Sequence, residues 1–226
     1  MKNLPNASMQ SVLKLVMWGV FCFPAAIVAQ NGEGEPTYLF QNANLRVSGA
    51  GGLLIDIGPV ADQSSGFVGG GGGVLFNDQV LVGIFGMGMA NEGIESFFPV
   101  NNTERLAFLS FGYGGAMVTY SPWANRVVHP IVSGRAGWGW ASWELDTDEN
   151  FDPSEEVLYE DNVTILHLEA GAEVNLLPWM KLQVLGGYRY ADGLELPRIS
   201  SSDLRGAYGG LRVMFGGWSK GNQQGS

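Results

Sequence analysis

Few side chains in this sequence combine the types and the spacing that catalysis or metal binding requires. His167 and Glu169 are separated by one residue, so on a strand both lie on the same face, where they could exchange a proton or offer two metal ligands. Two ligands are too few for a metal site, and the only other histidine, His129, lies beside Pro130. We therefore expect His167 to be an interior histidine hydrogen-bonded to a carboxylate, with no metal and no cofactor.

Nucleophilic catalysis would require a serine within reach of one of these histidines. Ser110 and Ser133 share the polar parity of their strands, but no local motif joins either of them to His167 or His129. We expect no catalytic residue, and a lipid-modifying enzyme that uses one of the histidines stays an alternative.

One acidic stretch has part of the spacing of a calcium-binding loop. The residues with this spacing are Asp146, Asp148, Asn150 and Asp152. Phe151 replaces the glycine of the sharp turn, and Val157 replaces the bidentate glutamate. The stretch is therefore expected to be a solvated, mutually repelling loop, with binding of divalent cations as the alternative.

The composition excludes two classes of protein. Among 226 residues, 46% are hydrophobic, 15% are charged and 34 are glycine, with a formal net charge of -10. Such a chain has too many apolar and aromatic residues for intrinsic disorder. It also lacks the basic cluster that binding to nucleic acid requires, so we expect no nucleic-acid partner.

The N-terminal residues 1–29 have the features of a cleaved secretory signal peptide. Lys2 and Lys14 precede an apolar run, and small residues lead to a cleavage site after Ala29. Cleavage would remove Cys22, the only cysteine, so the mature chain would have no disulfide and no thiolate.

Eight later segments show the period-two alternation of β-strands. They cover 44–58, 66–76, 80–91, 105–120, 128–145, 163–176, 181–191 and 205–216. In the sixth segment, Leu166 and Leu168 share an apolar face, whereas His167 and Glu169 lie on the opposite face. Because an arginine facing lipid costs about 2–4 kcal/mol at the midplane, this segregation predicts a transmembrane β-barrel with a polar interior.

The predicted interior face carries charges that must be paired if they are buried. We assign to one interior ion-pair network Arg46, Asp56, Arg135, His167, Glu169, Glu173, Arg189 and Arg212. A gated path for protons or ions is the alternative use of the same residues.

The connections between the segments alternate in length. Short turns follow the second, fourth and sixth segments, and longer polar loops follow the third, fifth and seventh. This pattern predicts an up-and-down barrel at 44–216 with short periplasmic turns and both termini in the periplasm, preceded by a short segment at 30–43 and followed by a polar tail at 217–226. A soluble barrel of the lipocalin kind is the alternative, but it would place its apolar residues inside.

The last segment contains a polar residue, a glycine and two hydrophobic residues that end in an aromatic: Tyr208, Gly210, Val213 and Phe215. Here the chain resembles the small eight-stranded outer-membrane β-barrel proteins of Gram-negative bacteria, such as the barrel domain of outer membrane protein A, whose C-terminal assembly signal has this form. The resemblance covers residues 37–218. It implies partners in outer-membrane lipid, including lipopolysaccharide, and in the barrel-assembly machinery, with another outer-membrane protein as a further candidate.

The sequence thus favours an all-β protein, an eight-stranded antiparallel up-and-down barrel in the bacterial outer membrane. We expect a non-enzymatic structural or accessory subunit of an envelope complex with exposed acidic loops. The lipid-modifying enzyme and a narrow pore are the alternatives, although side chains fill so small a lumen.

Overall fold

The computed structural model describes residues 45–90, 94–100, 102–145 and 157–218. The predicted signal peptide at 1–29, the predicted segment at 30–43 and the acidic residues Asp146, Asp148, Asn150 and Asp152 lie outside these residues. So does the predicted tail from residue 219 onward.

The described residues are almost entirely β-strand. The strands are β1 (Val47–Val60), β2 (Gln63–Phe76), β3 (Val80–Met89), β4 (Glu95–Val100), β5 (Thr103–Tyr120), β6 (Val128–Leu145), β7 (Val157–Leu177), β8 (Met180–Asp192), β9 (Glu195–Leu196), β10 (Ile199–Ser200) and β11 (Gly206–Gly216). A 3-10 helix covers Ser201–Leu204. In this part of the chain we find no helix with the length and hydropathy of a membrane span.

Eight of these strands form a closed antiparallel ring. Its order is β1, β2, β3, β5, β6, β7, β8 and β11, and β11 pairs with β1 to close it. Closure leaves no open edge among the ring strands, because each is hydrogen-bonded on both sides. The predicted eight-stranded antiparallel up-and-down barrel is confirmed.

The two ends of the ring differ in their connections. At the end that we call the turn end, β2 and β3, β5 and β6, and β7 and β8 are joined by short connections. At the other end, the loop end, β4 pairs with the outer half of β5 and prolongs the wall above β3. Sequence alternation missed β4, and it placed the start of β7 at 163, whereas the strand begins at Val157.

The first connection at the loop end is a tight turn. Val60 pairs with Gln63, and Ala61 and Asp62 between them have φ angles of 49° and 61°. Two consecutive residues in the left-handed region form the two-residue hairpin turn whose twist matches the flanking strands. Residues 59–65, which lie outside the first two predicted segments, are therefore strand on both sides of this turn.

The barrel has its apolar residues outside as well as inside. On the outer face, Ile84, Leu168 and Trp138 are 73%, 66% and 74% exposed. The buried charged side chains of the lumen lie near the turn end and at mid-height, among buried apolar residues, whereas near the loop end the lumen is filled by apolar side chains such as Leu109, Trp143 and Ile165. The predicted polar interior does not extend to the loop end.

A folded segment closes the loop end. Residues 193–205, predicted as a polar loop, form β9, β10 and the 3-10 helix and bury Leu194, Ile199 and Leu204. The indole Nε1 of Trp143 donates to the carbonyl of Pro197 at 3.0 Å. We call residues 193–205 the cap.

Candidate functional site

Strand register brings the predicted charges to mid-height in the lumen. Arg135 on β6 pairs with His167 on β7, which pairs with Arg189 on β8, so these three side chains lie side by side on the inner wall. Asp56 enters from β1, and Tyr208 and Arg212 enter from β11. Alternation on each strand decides which side chains point inward.

These residues form a compact ionic cluster, the central cluster, made of Asp56, Arg135, Glu169, Tyr208 and Arg212. The Nη2 of Arg135 donates to Asp56 Oδ2 at 2.5 Å and to the Tyr208 hydroxyl at 3.1 Å. Arg135 also forms an ion pair with Glu169, and Glu169 accepts further bonds from Arg212 and from the hydroxyl of Tyr208. Two guanidinium groups thus face two carboxylates.

The central cluster continues into neutral hydroxyls. Arg212 Nη1 lies 3.4 Å from Ser133 Oγ, and that hydroxyl is 3.0 Å from Thr119 Oγ1. Ser133 is therefore engaged by an arginine and a threonine. Among the described residues neither histidine forms a hydrogen bond to a serine, so no serine there is paired with a histidine base.

Close packing of the central cluster depends on Gly187. A Cβ at this position would lie 2.7 Å from the Leu168 carbonyl oxygen and 3.0 Å from both Glu169 Cγ and the Tyr208 ring. Such contacts are too close for carbon atoms, so a glycine here makes room for the carboxylate and the phenol to meet.

His167 is buried beside the central cluster without the predicted carboxylate bond. Its Nδ1 lies 3.4 Å from Arg135 Nη2, and a guanidinium can only donate, so Nδ1 is the acceptor and Nε2 carries the proton. Its ring stacks on Tyr113 at a centroid distance of 5.5 Å. The prediction of a carboxylate partner is wrong for His167.

One group of side chains has the composition of a metal site. Asp56, His167 and Glu169 can bring one ligand atom each within 4.8 Å of one another. Arg135 bonds to both carboxylates and also contacts His167, so its positive charge already occupies the position between the three side chains. The arrangement is that of an ion-pair cluster with an arginine as its cation.

A second cluster lies nearer the turn end and contains the other histidine. Glu173 accepts from His129 Nε2 at 2.8 Å, Lys181 Nζ at 2.7 Å and Gln183 Nε2 at 2.6 Å. We call these four residues the turn-end cluster. Glu173 therefore belongs to a separate network, and Lys181 and Gln183 were missed although the alternation of β8 places both of them inside.

Two predicted members of the network have other partners. Arg46 lies outside the lumen, where its Nη1 donates to Asp78 at 2.6 Å and its Nη2 donates to the Gly217 carbonyl at 2.9 Å. It precedes β1, so the alternation of that strand did not apply to it, and its assignment to the interior is wrong. Arg189 is inside, but its described bonds go to the carbonyls of Leu204 and Pro59, which fastens the cap to β1.

The residues of the predicted assembly signal all lie in the closing strand β11. Tyr208 and Gly210 face the lumen, whereas Val213 and Phe215 face outward, and Phe215 stacks on Trp179 at a centroid distance of 6.1 Å. Their role in assembly stays a prediction. The predicted cation loop falls outside the described residues.

No protein-family model matches the sequence, and a search of curated proteins found no match. Among solved structures, the chain is similar to the N-terminal β-barrel domain of OprF from Pseudomonas aeruginosa, with 14% identity, a TM-score of 0.47, and coverage of 75% of this chain and 96% of that one. It is similar to Neisserial surface protein A, with 12% identity, a TM-score of 0.47, and coverage of 77% and 99%. It is also similar to Ail of Yersinia pestis, with 15% identity, a TM-score of 0.41, and coverage of 75% and 95%. All three are small eight-stranded outer-membrane barrels, the class that the sequence resembles.

Proposed function

We propose that this chain is a non-enzymatic, integral outer-membrane β-barrel that acts as a structural or accessory subunit of an envelope complex. The observation that carries the proposal is the placement of charge and apolar surface on the barrel wall. At mid-height Arg135 is 1% exposed, whereas Leu168 on the neighbouring strand is 66% exposed. This is the reverse of a water-soluble barrel and is what a bilayer around the wall requires.

The filled lumen supports a structural role over transport. The central cluster spans the interior at mid-height, and the apolar side chains beneath the cap fill the loop end. In an eight-stranded barrel the interior is just wide enough for such side chains. An ion that crossed the barrel would have to displace both layers, which disfavours the pore alternative.

The outer wall supports a role as a partner of another envelope protein. Gly70 on β2, Gly86 on β3 and Gly114 on β5 are adjacent in register and share the outward parity of their strands. A Cβ at Gly86 or Gly88 would meet nothing within 4 Å, so the wall there is flat and open to a close approach. A second protein could pack its own backbone against this area.

Fractionation and native mass test the proposal. We expect the chain in the outer membrane, a gel shift that appears only after boiling, and co-migration with a second protein in mild detergent. Gly86→Leu should abolish co-migration, and Gly209→Leu, at an outward position that is also open, is the matched control. Recovery in the soluble fraction contradicts the membrane proposal, and a lone particle of the barrel's own mass contradicts the accessory role.

Single introduced cysteines test the proposed orientation, in which the turn end faces the periplasm and the loop end faces the cell exterior. Residues 44–216 contain no cysteine, so each introduced thiol is the only one in the barrel. Asn125→Cys lies at the turn end, and Asn102→Cys lies in the β4–β5 turn at the loop end. In intact cells an impermeant maleimide should label Asn102→Cys only. If only Asn125→Cys is labelled, the barrel has the opposite orientation and the proposed one is wrong.

A further inference from the structure

The turn end of the barrel contains a cavity that borders the turn-end cluster at Lys181. Its volume is about 510 Å³, and Trp218 forms part of its wall immediately after β11. Volumes of this size are typical of sites for small molecules. The carboxamides that line it are Asn77, Gln79, Asn125 and Asn175.

The charges in the lining are already compensated. Asp78 is paired with Arg46 at 2.6 Å, and Lys181 is paired with Glu173 at 2.7 Å. A phosphate or a cationic ligand would have to compete with these partners. The cavity therefore favours an uncharged ligand.

The carboxamides define the chemistry of that ligand. An amide both donates and accepts, as a sugar hydroxyl does, so the exposed carboxamides of Gln79 and Asn125 can bond to a hydroxyl in either direction. Asn77 already accepts from the backbone N–H of Arg46 at 2.9 Å through its Oδ1, and its amide nitrogen is the group that remains for a ligand. Asn175 uses its Nδ2 for the carbonyls of Ala124 at 2.9 Å and Arg126 at 2.7 Å, so it fixes the β5–β6 connection beside the cavity and shapes the wall.

Apolar surface completes the lining. The ammonium group of Lys181 lies 4.9 Å from the centroid of the Trp218 ring. Leu176, Leu177 and Pro178 lie on the wall between β7 and β8. An indole and an aliphatic wall beside amides match a pyranose ring, which has apolar C–H faces and a polar rim.

We propose that this cavity binds a neutral pyranose glycan. An extended peptide is disfavoured because it would bind by adding to a sheet edge, and every ring strand is paired on both sides. An acyl chain is disfavoured because it would take the amides of Gln79 and Asn125 out of water without giving them a partner. The site goes beyond the structural role proposed above and does not depend on which side of the membrane the turn end faces.

Calorimetric titration of the full mature chain in detergent micelles tests this site. The probes are N,N′,N″-triacetylchitotriose and maltotriose, two neutral glycans that differ in their acetamido groups, with inorganic phosphate as the charged comparison. We expect saturable binding of at least one glycan and none of phosphate. Trp218→Ala should weaken binding about tenfold, and Asn125→Ala, at an exposed turn position, should weaken it by about threefold.

Two controls match these variants in residue type. Trp140→Ala removes an exposed indole from the outer wall, and Asn162→Ala removes a carboxamide near the loop end. Both should leave glycan affinity within about twofold of the parent protein. Absence of glycan binding, or equal affinity in Asn125→Ala and its control, overturns the proposal.

Discussion

Arg135 on β6 donates a hydrogen bond to Asp56 on β1 across the whole width of the lumen, with 2.5 Å between Nη2 and Oδ2. The two strands are four places apart in a ring of eight, so they occupy opposite walls. Both side chains are almost completely buried. The pair therefore ties together two walls that backbone hydrogen bonds connect only through three intervening strands on either side.

Removal of the arginine should destabilise the barrel strongly. Arg135→Ala leaves Asp56 and part of Glu169 buried without their counter-charge, and breaking a buried pair in this way costs about 3–5 kcal/mol. The measurement is the free energy of unfolding in urea, followed by tryptophan fluorescence in lipid vesicles. Arg46→Ala, which breaks the exposed pair with Asp78, is the control and should cost less than about 1 kcal/mol.

A double-mutant cycle separates the pair from general damage to packing. Arg135→Met and Asp56→Asn should show a coupling free energy of roughly 1–3 kcal/mol, since contacting residues in one network are not additive. Additive effects of the two substitutions would show that the link across the lumen contributes nothing to stability.

Two adjacent glycines on β8 should respond differently to alanine. A Cβ on Gly187 would meet Glu169 and Tyr208 at 3.0 Å inside the lumen, whereas a Cβ on Gly186 points outward and has its nearest atom at 4.0 Å. Gly187→Ala should therefore cost about 1–3 kcal/mol through overpacking. Gly186→Ala should be neutral or slightly stabilising, because it restricts the unfolded chain. Equal losses of unfolding free energy at both positions would contradict the claim that close packing of the central cluster requires a glycine at position 187.

The wall of the barrel could be predicted from the sequence because one physical rule governs most of it. Strand alternation separates Leu168 from His167 and Glu169, and the same rule places Lys181 and Gln183 inside. Alternation does not predict which interior side chains form hydrogen bonds with one another. His167 was expected to meet a carboxylate, but the register places it between Arg135 and Arg189, and the carboxylate bond belongs to His129, which lies directly opposite Glu173. Alternation within one strand does not give the register between two strands.

The loop end could not be predicted by alternation. The prolonged wall carries charged residues such as Glu160 and Asp161, which lie in β7 although they precede the predicted start of this strand at 163. In the cap, Leu194 and Leu204 are buried by packing on Trp143 and its neighbours, without a repeating pattern. Segments stabilised by tertiary contacts alone leave no periodic signal.

Arginine substitutions at two depths on the outer face test whether lipid surrounds the wall, since their effects on stability should differ. Leu168 lies near the middle of β7, and Val128 is the first residue of β6, next to the turn end; both are exposed on the outer face. In vesicles, Leu168→Arg should cost about 2–4 kcal/mol and Val128→Arg about 0–1 kcal/mol, because the cost falls toward the interface. A soluble barrel would tolerate both substitutions equally, and that result would contradict a membrane location.

Loss of either histidine should leave the lipids of the envelope unchanged. His167 contacts Arg135 and His129 contacts Glu173, and in the part of the chain that the structure describes neither has a serine to activate. We expect the strains that carry His167→Ala or His129→Ala to have the same lipid profile by mass spectrometry as the parent strain. A strain that lacks the protein is measured beside them as the reference. A profile that changes on deletion and in one histidine variant would support the lipid-modifying alternative.

The barrel should be electrically silent in a planar bilayer. The central cluster crosses the lumen at mid-height, and the cap buries Leu194 and Leu204 above it, so an ion would have to displace both an ionic network and an apolar layer. Single-channel recording of the refolded chain should show no stepwise conductance. Removal of the cap contacts by Trp143→Ala, which deletes the bond to Pro197, should still leave it silent because the ionic layer persists. Reproducible unitary steps from the parent chain would favour the narrow pore and would require the central cluster to open.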